Sequence, residues 1–508
     1  MQQFVLCIKA CTLEYIRRWY TLFLCILLPS VATGAHYRYT PQMIEAYQQI
    51  MALDWAGAEQ SLTQLQKEDP ENLCLQHLLS YRAFFKIYTK DQSIGLKSFK
   101  GIRDEALKQV SKGPEDSPWH LYIQADIRLQ WALLKFRYGE YFSGFWEVKR
   151  AYALLEKNQK QFPDFAPNYK DLGILKALVG TVPDAYKWGL KVLSGMSGTV
   201  VEGKVAFKKA LNDQGTETTF LKAETVMLYS FLLLYLDKDN REAWQWVQDP
   251  VLTPHSNVLH AFTYASVASR AGQQKAALEV LSTAREKSNW KAFPFLEFRL
   301  AEIKLQQLDL GAKEHYEIFL RTYQGGTDIK ASYLRLSWIA LLQNQIIGYQ
   351  RFLVAVQTEG NAESGRDQDA LYMSKLDFIP SVHLIQSRLL FDGGDYSRAL
   401  GILDGFQETD FATIYEKLEW NYRMGRITHQ LDLPGKALRY YGVVLARGQD
   451  QPFYFACNAA LQIGLIYEEQ EDKIKAKSYF EQCLNLKPEI YKNSLHLAAK
   501  AALQRLKE

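Results

Sequence analysis

Residues 457–488 read CNAALQIGLIYEEQEDKIKAKSYFEQCLNLKP, and this stretch determines the fold class that the sequence predicts. Its apolar residues recur every three or four positions, which is the spacing of one face of an α-helix. Gly464 and Ala476 are small, as is typical where two helices cross closely, and Pro488 ends the second helix. A larger side chain at either crossing position would overpack it at a cost of about 1–3 kcal/mol. The stretch therefore predicts an antiparallel pair of helices.

Small residues recur in the same frame through the second half of the chain. They are Ala277, Ala312, Gly348, Ala399, Ala437 and Ala476, with separations of 35, 36, 51, 38 and 39 residues. The pattern resembles the tetratricopeptide repeat, in which about 34 residues form two antiparallel helices. The resemblance implies an all-α fold, a right-handed α-α superhelix of about ten helix pairs. The longest step contains TEGNAESGRDQD, residues 358–369, which we expect to be an exposed polar loop.

Composition supports a folded protein and excludes one class of partner. Hydrophobic residues make up 48% and aromatic residues 13% of the 508 residues, so most of the chain can bury a core. The formal net charge is only +4. Nucleic-acid binding needs a concentrated basic surface, and we expect none here.

The N-terminus has the order of a secretory signal. Lys9, Arg17 and Arg18 precede an apolar run, residues 19–28, and small residues lead to Gly34. We predict a signal peptide, residues 1–34, and export to the periplasm or cell envelope. The apolar run is about half the ~20 residues that a membrane-spanning helix needs, and the later run 226–236 is also short. We therefore expect no transmembrane span after cleavage, while an uncleaved anchor, a buried N-terminal helix and a peripheral association with the envelope stay open.

The predicted mature chain has three parts. Residues 35–165 form N-terminal helical repeats, residues 166–215 a Gly-rich helical joint, and residues 216–508 the C-terminal repeats. The joint residues singled out by the pattern are Pro183, Trp188, Gly195 and Gly198. The segment 171–211 resembles a Gly-rich element of the eukaryotic inclusion-body-clearance family of repeat proteins, and also exported repeat proteins of Bacteroidetes. These resemblances imply a helical-repeat adaptor. The joint either packs two halves of the array together or binds a partner, a lipid or another apolar ligand.

A binding groove is expected along the first helix of each pair. Arginine and aromatic side chains are the usual anchors of binding surfaces. The repeat frame places six such residues on the groove side: Tyr333, Arg388, Phe391, Tyr422, Arg426 and His429. The alternative role of each is lateral packing against the next repeat.

Chemical motifs are weak in this sequence. GTVVEGK, residues 198–204, has part of a phosphate-binding loop but lacks the following Ser or Thr and a preceding strand. We expect no catalytic residue, no cofactor and no metal. Cys457 and Cys483 fall at neighbouring repeat positions, so a disulfide and two free thiols both stay open.

These patterns predict a non-catalytic protein-binding scaffold or adaptor whose partners are other proteins or peptides. Binding of a lipid or another apolar ligand at the joint is the main alternative. An enzyme with an unrecognised site is the third hypothesis.

Overall fold

The computed structural model describes residues 34–90, 95–180, 195–213, 215, 217–286 and 288–506. Within these ranges the chain forms 24 α-helices, and its only β-pairing is an isolated bridge between His36 and Asn72. The all-α prediction is therefore confirmed. The predicted signal peptide lies outside the described residues apart from Gly34.

Most helices pack as pairs against the next helix in the chain. The first twelve are α1 (Pro41–Met51), α2 (Trp55–Glu68), α3 (Cys74–Lys90), α4 (Gly95–Val110), α5 (Pro118–Arg137), α6 (Tyr141–Gln161), α7 (Pro167–Gly180), α8 (Val200–Leu211), α9 (Lys222–Leu232), α10 (Asn240–Trp246), α11 (Val258–Arg270) and α12 (Gln274–Arg285). The other twelve are α13 (Phe295–Gln306), α14 (Ala312–Thr322), α15 (Ile329–Leu342), α16 (Ile346–Thr358), α17 (Gly365–Met373), α18 (Val382–Asp392), α19 (Tyr396–Leu403), α20 (Ile414–Gln430), α21 (Pro434–Gly448), α22 (Phe455–Glu469), α23 (Lys473–Asn485) and α24 (Lys492–Arg505). Short 3-10 turns cover 219–221, 288–292 and 408–410.

The small residues of the repeat frame lie at the helix crossings, as predicted. Ala437 and Ala476 are fully buried. A Cβ atom added at Gly464 would lie 2.5 Å from the ring of Phe480, which packs across the α22–α23 pair. No side chain fits in that space, and this explains why the frame selects Gly and Ala.

The hydrophobic core runs through the whole array. One large cluster of buried side chains extends from Met43 to Ile303, and a second extends from Phe298 to Ala502. Helix α13 contributes to both, because Leu300 belongs to the first cluster and Phe298 to the second. Each pair therefore buries its apolar faces against its neighbours, as expected for a solenoid.

The polar insertion, residues 358–369, is only partly the exposed loop that the sequence predicted. From Gly365 onwards it is helix α17, which Ser364 caps by accepting a hydrogen bond from the Asp367 amide. Asp367 is fully buried and accepts hydrogen bonds from the backbone amides of Asp328 and Ala331. The Asp367 carboxylate caps the first turn of α15. Because this contact needs Asp367 to be buried, the second part of the insertion packs against α15 and is not exposed.

Among the described residues, one stretch, Thr219–Asp237, is long and apolar enough to cross a membrane by length and composition. It comprises a 3-10 turn, α9 and a π-helical turn, Leu233–Asp237. Val226, Tyr229 and Leu233 are fully buried among the neighbouring helices. The stretch packs in this structure as a core helix.

Candidate functional site: the inner face of the C-terminal repeats

Four of the six predicted groove residues come together on α18 and α20. The guanidinium carbon of Arg426 lies 4.8 Å from the centre of the Phe391 ring. Its Nη1 atom donates a hydrogen bond of 2.9 Å to the Tyr422 hydroxyl, which also accepts one from Asn458 Nδ2 at 2.7 Å. Arg388 lies one turn before Phe391 on α18.

Trp338 on α15 extends this contact pattern, and the sequence did not single it out. The Arg335 guanidinium lies 4.2 Å, and that of Arg388 5.0 Å, from its ring centre. Guanidinium groups and aromatic rings thus alternate across three neighbouring helices. We call this arrangement the guanidinium ladder, and its members are Arg335, Trp338, Arg388, Phe391, Arg426 and Tyr422.

The arginines of this face differ in their counter-charges. Arg388 forms an ion pair with Asp369 at 2.8 Å, and the buried Arg423 pairs with Glu419 at 2.9 Å. Among the described residues, no carboxylate lies within ion-pair distance of Arg335 or Arg426. Arg335 Nη1 is also buried without a hydrogen-bond acceptor there. The ladder therefore holds two guanidinium groups that form no ion pair among the described residues.

Burial divides the predicted groove residues by role. Arg426 is partly exposed, whereas Tyr422 is 1% exposed and Phe391 8%, and the Arg388 side chain, at 11%, is nearly as buried as Phe391. Tyr422 and Phe391 are therefore positioned to hold Arg426, with little surface of their own to offer a partner.

The remaining two predicted groove residues do not join the ladder. Burial lowers the pKa of His429, whose ring packs edge-on against Tyr441 and whose Nδ1 atom is buried without a partner among the described residues. Tyr333 stands two positions before Arg335, so the two side chains point to different faces of α15. Burial and the charge of Glu359 raise the pKa of Tyr333.

The Gly-rich joint is described only in part, because Pro183 and Trp188 lie outside the described residues. Gly195 is exposed with a φ of +72°, a backbone conformation that favours glycine. A Cβ atom at Gly198 would lie 2.5 Å from the Lys176 Cα atom, so this loop touches the α7 backbone. Around it, α7 and α8 form an antiparallel pair like their neighbours.

A buried polar cluster between α1, α3, α5, α7 and α9 is the largest feature that sequence reasoning missed. Lys170 Nζ lies 2.9 Å from a Glu224 oxygen and 3.3 Å from an Asp171 oxygen. His77 bonds to Asp126 at 2.8 Å and to the Tyr39 hydroxyl at 2.6 Å. We call these side chains, with Tyr47 and Tyr81, the Lys170 cluster. Burial raises the pKa of the Asp171 carboxyl to about 8, while the neighbouring Lys170 ammonium opposes this shift.

Three carboxylates next to α9 and α10 are side chains of the kind that bind metal ions. The nearest oxygens of Asp237, Asp239 and Glu242 lie within 4.8 Å of one another. Lys204 Nζ lies 2.6 Å from Asp237 and 2.7 Å from Glu242. Its ammonium group already neutralises this acidic group, so the arrangement does not require a metal.

Cys457 and Cys483 contact each other in the α22–α23 core. Their Sγ atoms are 3.6 Å apart, and both side chains are buried as free thiols, as is Cys74. Burial keeps oxidants away, so we expect all three thiols to react with an alkylating reagent after denaturation without reductant. Mass spectrometry of the purified protein measures this. Alkylation at Cys74 alone would show that the other two form a disulfide.

The comparisons with known proteins found solved structures of low similarity and no relative in sequence. No family model matches the sequence, and no curated protein matches it. Solved structures do match. The TPR domain of P58(IPK) is 15% identical, with 81% of this chain and 96% of that chain covered and a TM-score of 0.21. Yeast Tom70 is 12% identical; the match covers 83% of this chain and 96% of that chain, with a TM-score of 0.23. Cut9–Hcn1 of the APC/C is 11% identical; the match covers 92% of this chain and 97% of that chain, with a TM-score of 0.23. At these low scores the assignment to a helical solenoid of tetratricopeptide type rests on the helix pairs and crossings of the chain itself.

Proposed function

We propose that this chain is an exported, non-catalytic scaffold of the periplasm or cell envelope that binds partner proteins along the inner face of its C-terminal repeats. The guanidinium ladder is the observation that carries the proposal. Arginine and aromatic residues concentrate binding energy at protein interfaces. A rigid row of them on the neighbouring helices α15, α18 and α20 is suited to an extended segment of a partner. The location follows from the signal-like order of residues 1–34 and is part of the proposal.

The charges of the ladder favour partner segments that carry carboxylates. Arg388 and Arg423 are already neutralised by Asp369 and Glu419. Arg335 and Arg426 have no such partner among the described residues, and each guanidinium group lies over an aromatic ring. A guanidinium group held in place loses little side-chain entropy when a carboxylate binds to it.

We expect Arg426→Ala to weaken binding of a partner protein by about tenfold or more, because it removes an ordered hot-spot side chain. The measurement is recovery of crosslinked proteins with the tagged chain from its native envelope, quantified by mass spectrometry. Arg439→Ala, an exposed arginine on the outer helix α21, is the matched control and leaves recovery unchanged. Tyr422→Ala is unsuitable, because removing this buried ring would destabilise the fold, so Tyr422→Phe tests the hydroxyl that orients Arg426. Equal recovery with Arg426→Ala and wild type would contradict the assigned surface.

A second candidate function is binding of a lipid or another apolar ligand at the joint. Val201 and Val205 on α8 are 70% and 64% exposed, and Leu178 on α7 is 45% exposed. Such exposed apolar surface is what an apolar ligand would cover. Lipid that co-purifies with the wild type and is lost with Trp188→Ala would favour this function. Protein partners with no bound lipid would favour the scaffold.

A further inference from the structure

The exposed surface of helix α6 combines aromatic and basic side chains. Its exposed positions hold Tyr141, Phe142, Trp146, Arg150, Ala153, Lys157, Lys160 and Gln161. Three of these residues are aromatic, three are basic and none is acidic. From Phe142 onwards they recur every three or four positions, so they lie on one face of the helix. We call this set of residues the α6 stripe.

The aromatic end of the stripe is strongly exposed. Phe142 is 77%, Tyr141 69% and Trp146 40% exposed, and Leu133 on the paired helix α5 is 52% exposed. The Phe142 and Trp146 rings pack edge-to-face with centres 6.1 Å apart. Lys149 Nζ lies 4.8 Å from the centre of the Trp146 ring. Large rings that cluster on a surface in this way mark a place where another body covers them.

A carboxylate on the buried face of α6 fixes the direction in which the stripe points. Glu147 is 4% exposed and forms ion pairs of 2.9 Å with Arg103 on α4 and with Arg128 on α5. Rotation of α6 about its axis would break these buried contacts, which is costly. The aromatic and basic residues of the stripe therefore stay on the solvent side.

The basic end of the stripe carries charges that are not neutralised. Among the described residues, no carboxylate lies within ion-pair distance of Arg150, Lys157 or Lys160, and none of the three side chains forms a hydrogen bond. Glu156 is half-buried off the stripe, and the exposed Glu140 precedes α6 at the aromatic end. The stripe therefore attracts an anionic surface.

The two ends match the two outer layers of an anionic bilayer. Aromatic side chains favour the boundary between lipid headgroups and acyl chains, whereas Lys and Arg contact the headgroup phosphates. The stripe is about 27 Å long from Phe142 to Lys160, so it can lie flat along a membrane. In contrast to Arg426 of the guanidinium ladder, no hydrogen bond fixes its basic side chains, and fluid headgroups do not need fixed partners.

We propose that the α6 stripe docks the protein on a membrane surface that contains anionic lipid. Tyr141, Phe142 and Trp146 insert below the headgroups, and the three basic residues contact phosphate groups along the helix. The proposal uses no residue of the guanidinium ladder, so it stands whether or not the ladder binds partner proteins.

Photo-crosslinking of the full chain to vesicles tests the proposal. A photoreactive residue replaces Phe142 or, separately, Ile347 on α16, which is 84% exposed. The vesicles contain phosphatidylcholine with phosphatidylglycerol, or phosphatidylcholine alone. We expect about tenfold more lipid adducts from position 142 than from position 347, and about tenfold fewer from position 142 without phosphatidylglycerol. Because an adduct forms at the labelled position, the apolar residues 19–28 do not produce it.

The charges of the stripe are tested in the chain labelled at position 142. Combined Arg150→Gln, Lys157→Gln and Lys160→Gln should lower the yield of lipid adducts by about tenfold or more, because each basic residue contributes to the attraction.

The matched control removes three exposed lysines of the C-terminal helix pairs, with Lys473→Gln, Lys487→Gln and Lys500→Gln. It changes the net charge by the same amount and should leave the adduct yield unchanged. Circular dichroism shows that both variants keep their helices.

Three results would overturn the proposal. They are equal lipid yields from positions 142 and 347, equal yields from position 142 with and without phosphatidylglycerol, and equal losses in the two glutamine variants. In the native envelope, protein adducts from position 142 in place of lipid adducts would also overturn it. Such adducts, with another protein or with a second copy of the chain, would assign the stripe to a protein interface.

Discussion

Lys170→Met is expected to lower the free energy of unfolding by about 3–5 kcal/mol, because it leaves buried carboxyl groups without their cation. The Lys170 side chain is 1% exposed and contacts both Glu224 and Asp171. Methionine fills a similar volume, so the loss reports the missing charge rather than a cavity. Urea denaturation followed by circular dichroism measures it.

The control for this prediction is Lys477→Met on α23. Lys477 forms an ion pair with Glu481 at 3.8 Å, and both side chains are largely exposed. Exposed pairs of this kind contribute little to stability, so the variant should unfold like the wild type. If the two methionine variants were equally stable, the Lys170 cluster would be no more than a set of solvated charges.

Gly203→Ala is expected to destabilise the protein by about 1–3 kcal/mol, since the α7–α8 crossing has no room for a methyl group. A Cβ atom there would lie 2.6 Å from the Gly173 carbonyl oxygen and 2.8 Å from the Ala177 Cβ atom. A backbone carbonyl cannot turn aside as a flexible side chain can, so the helices must separate. Thermal unfolding followed by circular dichroism measures the loss.

Gly442→Ala on α21 is the matched control, and its effect should have the opposite sign. Nothing lies within 4 Å of a Cβ atom at Gly442. Alanine in an exposed helix stabilises it by about 0.5–1 kcal/mol relative to glycine, by reducing the entropy of the unfolded chain. Stabilisation by both substitutions would show that the α7–α8 pair is looser than described here.

The sequence was sufficient to predict the helix pairs because their determinants are local. Close helix crossings require small side chains, and Ala437, Gly464 and Ala476 meet this requirement at positions that recur with the repeat. The buried polar cluster could not be predicted in this way. Its members are spread from Tyr39 to Glu224, and adjacent residues such as Lys170 and Asp171 look like an ordinary solvated pair on a helix.

The guanidinium ladder was predictable in outline only. The repeat frame placed Arg388, Phe391, Tyr422 and Arg426 on the groove side, and the structure brings them together. The repeat frame could not reveal the burial of Tyr422 or the contact of Arg335 with Trp338, since both depend on how neighbouring helix pairs are rotated against each other. The helix Gly365–Met373 was not predicted because its first residues are polar, and a polar stretch gives no sign that Asp367 is buried.

The central claim is that partner proteins bind to the inner face of the C-terminal repeats, and site-specific photo-crosslinking tests it most directly. A photoreactive residue is placed at Gln462, which is partly exposed on α22 close to Asn458, and separately at the exposed Lys477 on α23. We predict protein adducts in the native envelope from position 462 but not from position 477, and loss of these adducts with Arg426→Ala. Adducts from position 477 alone would contradict the claim and place binding on the outer surface.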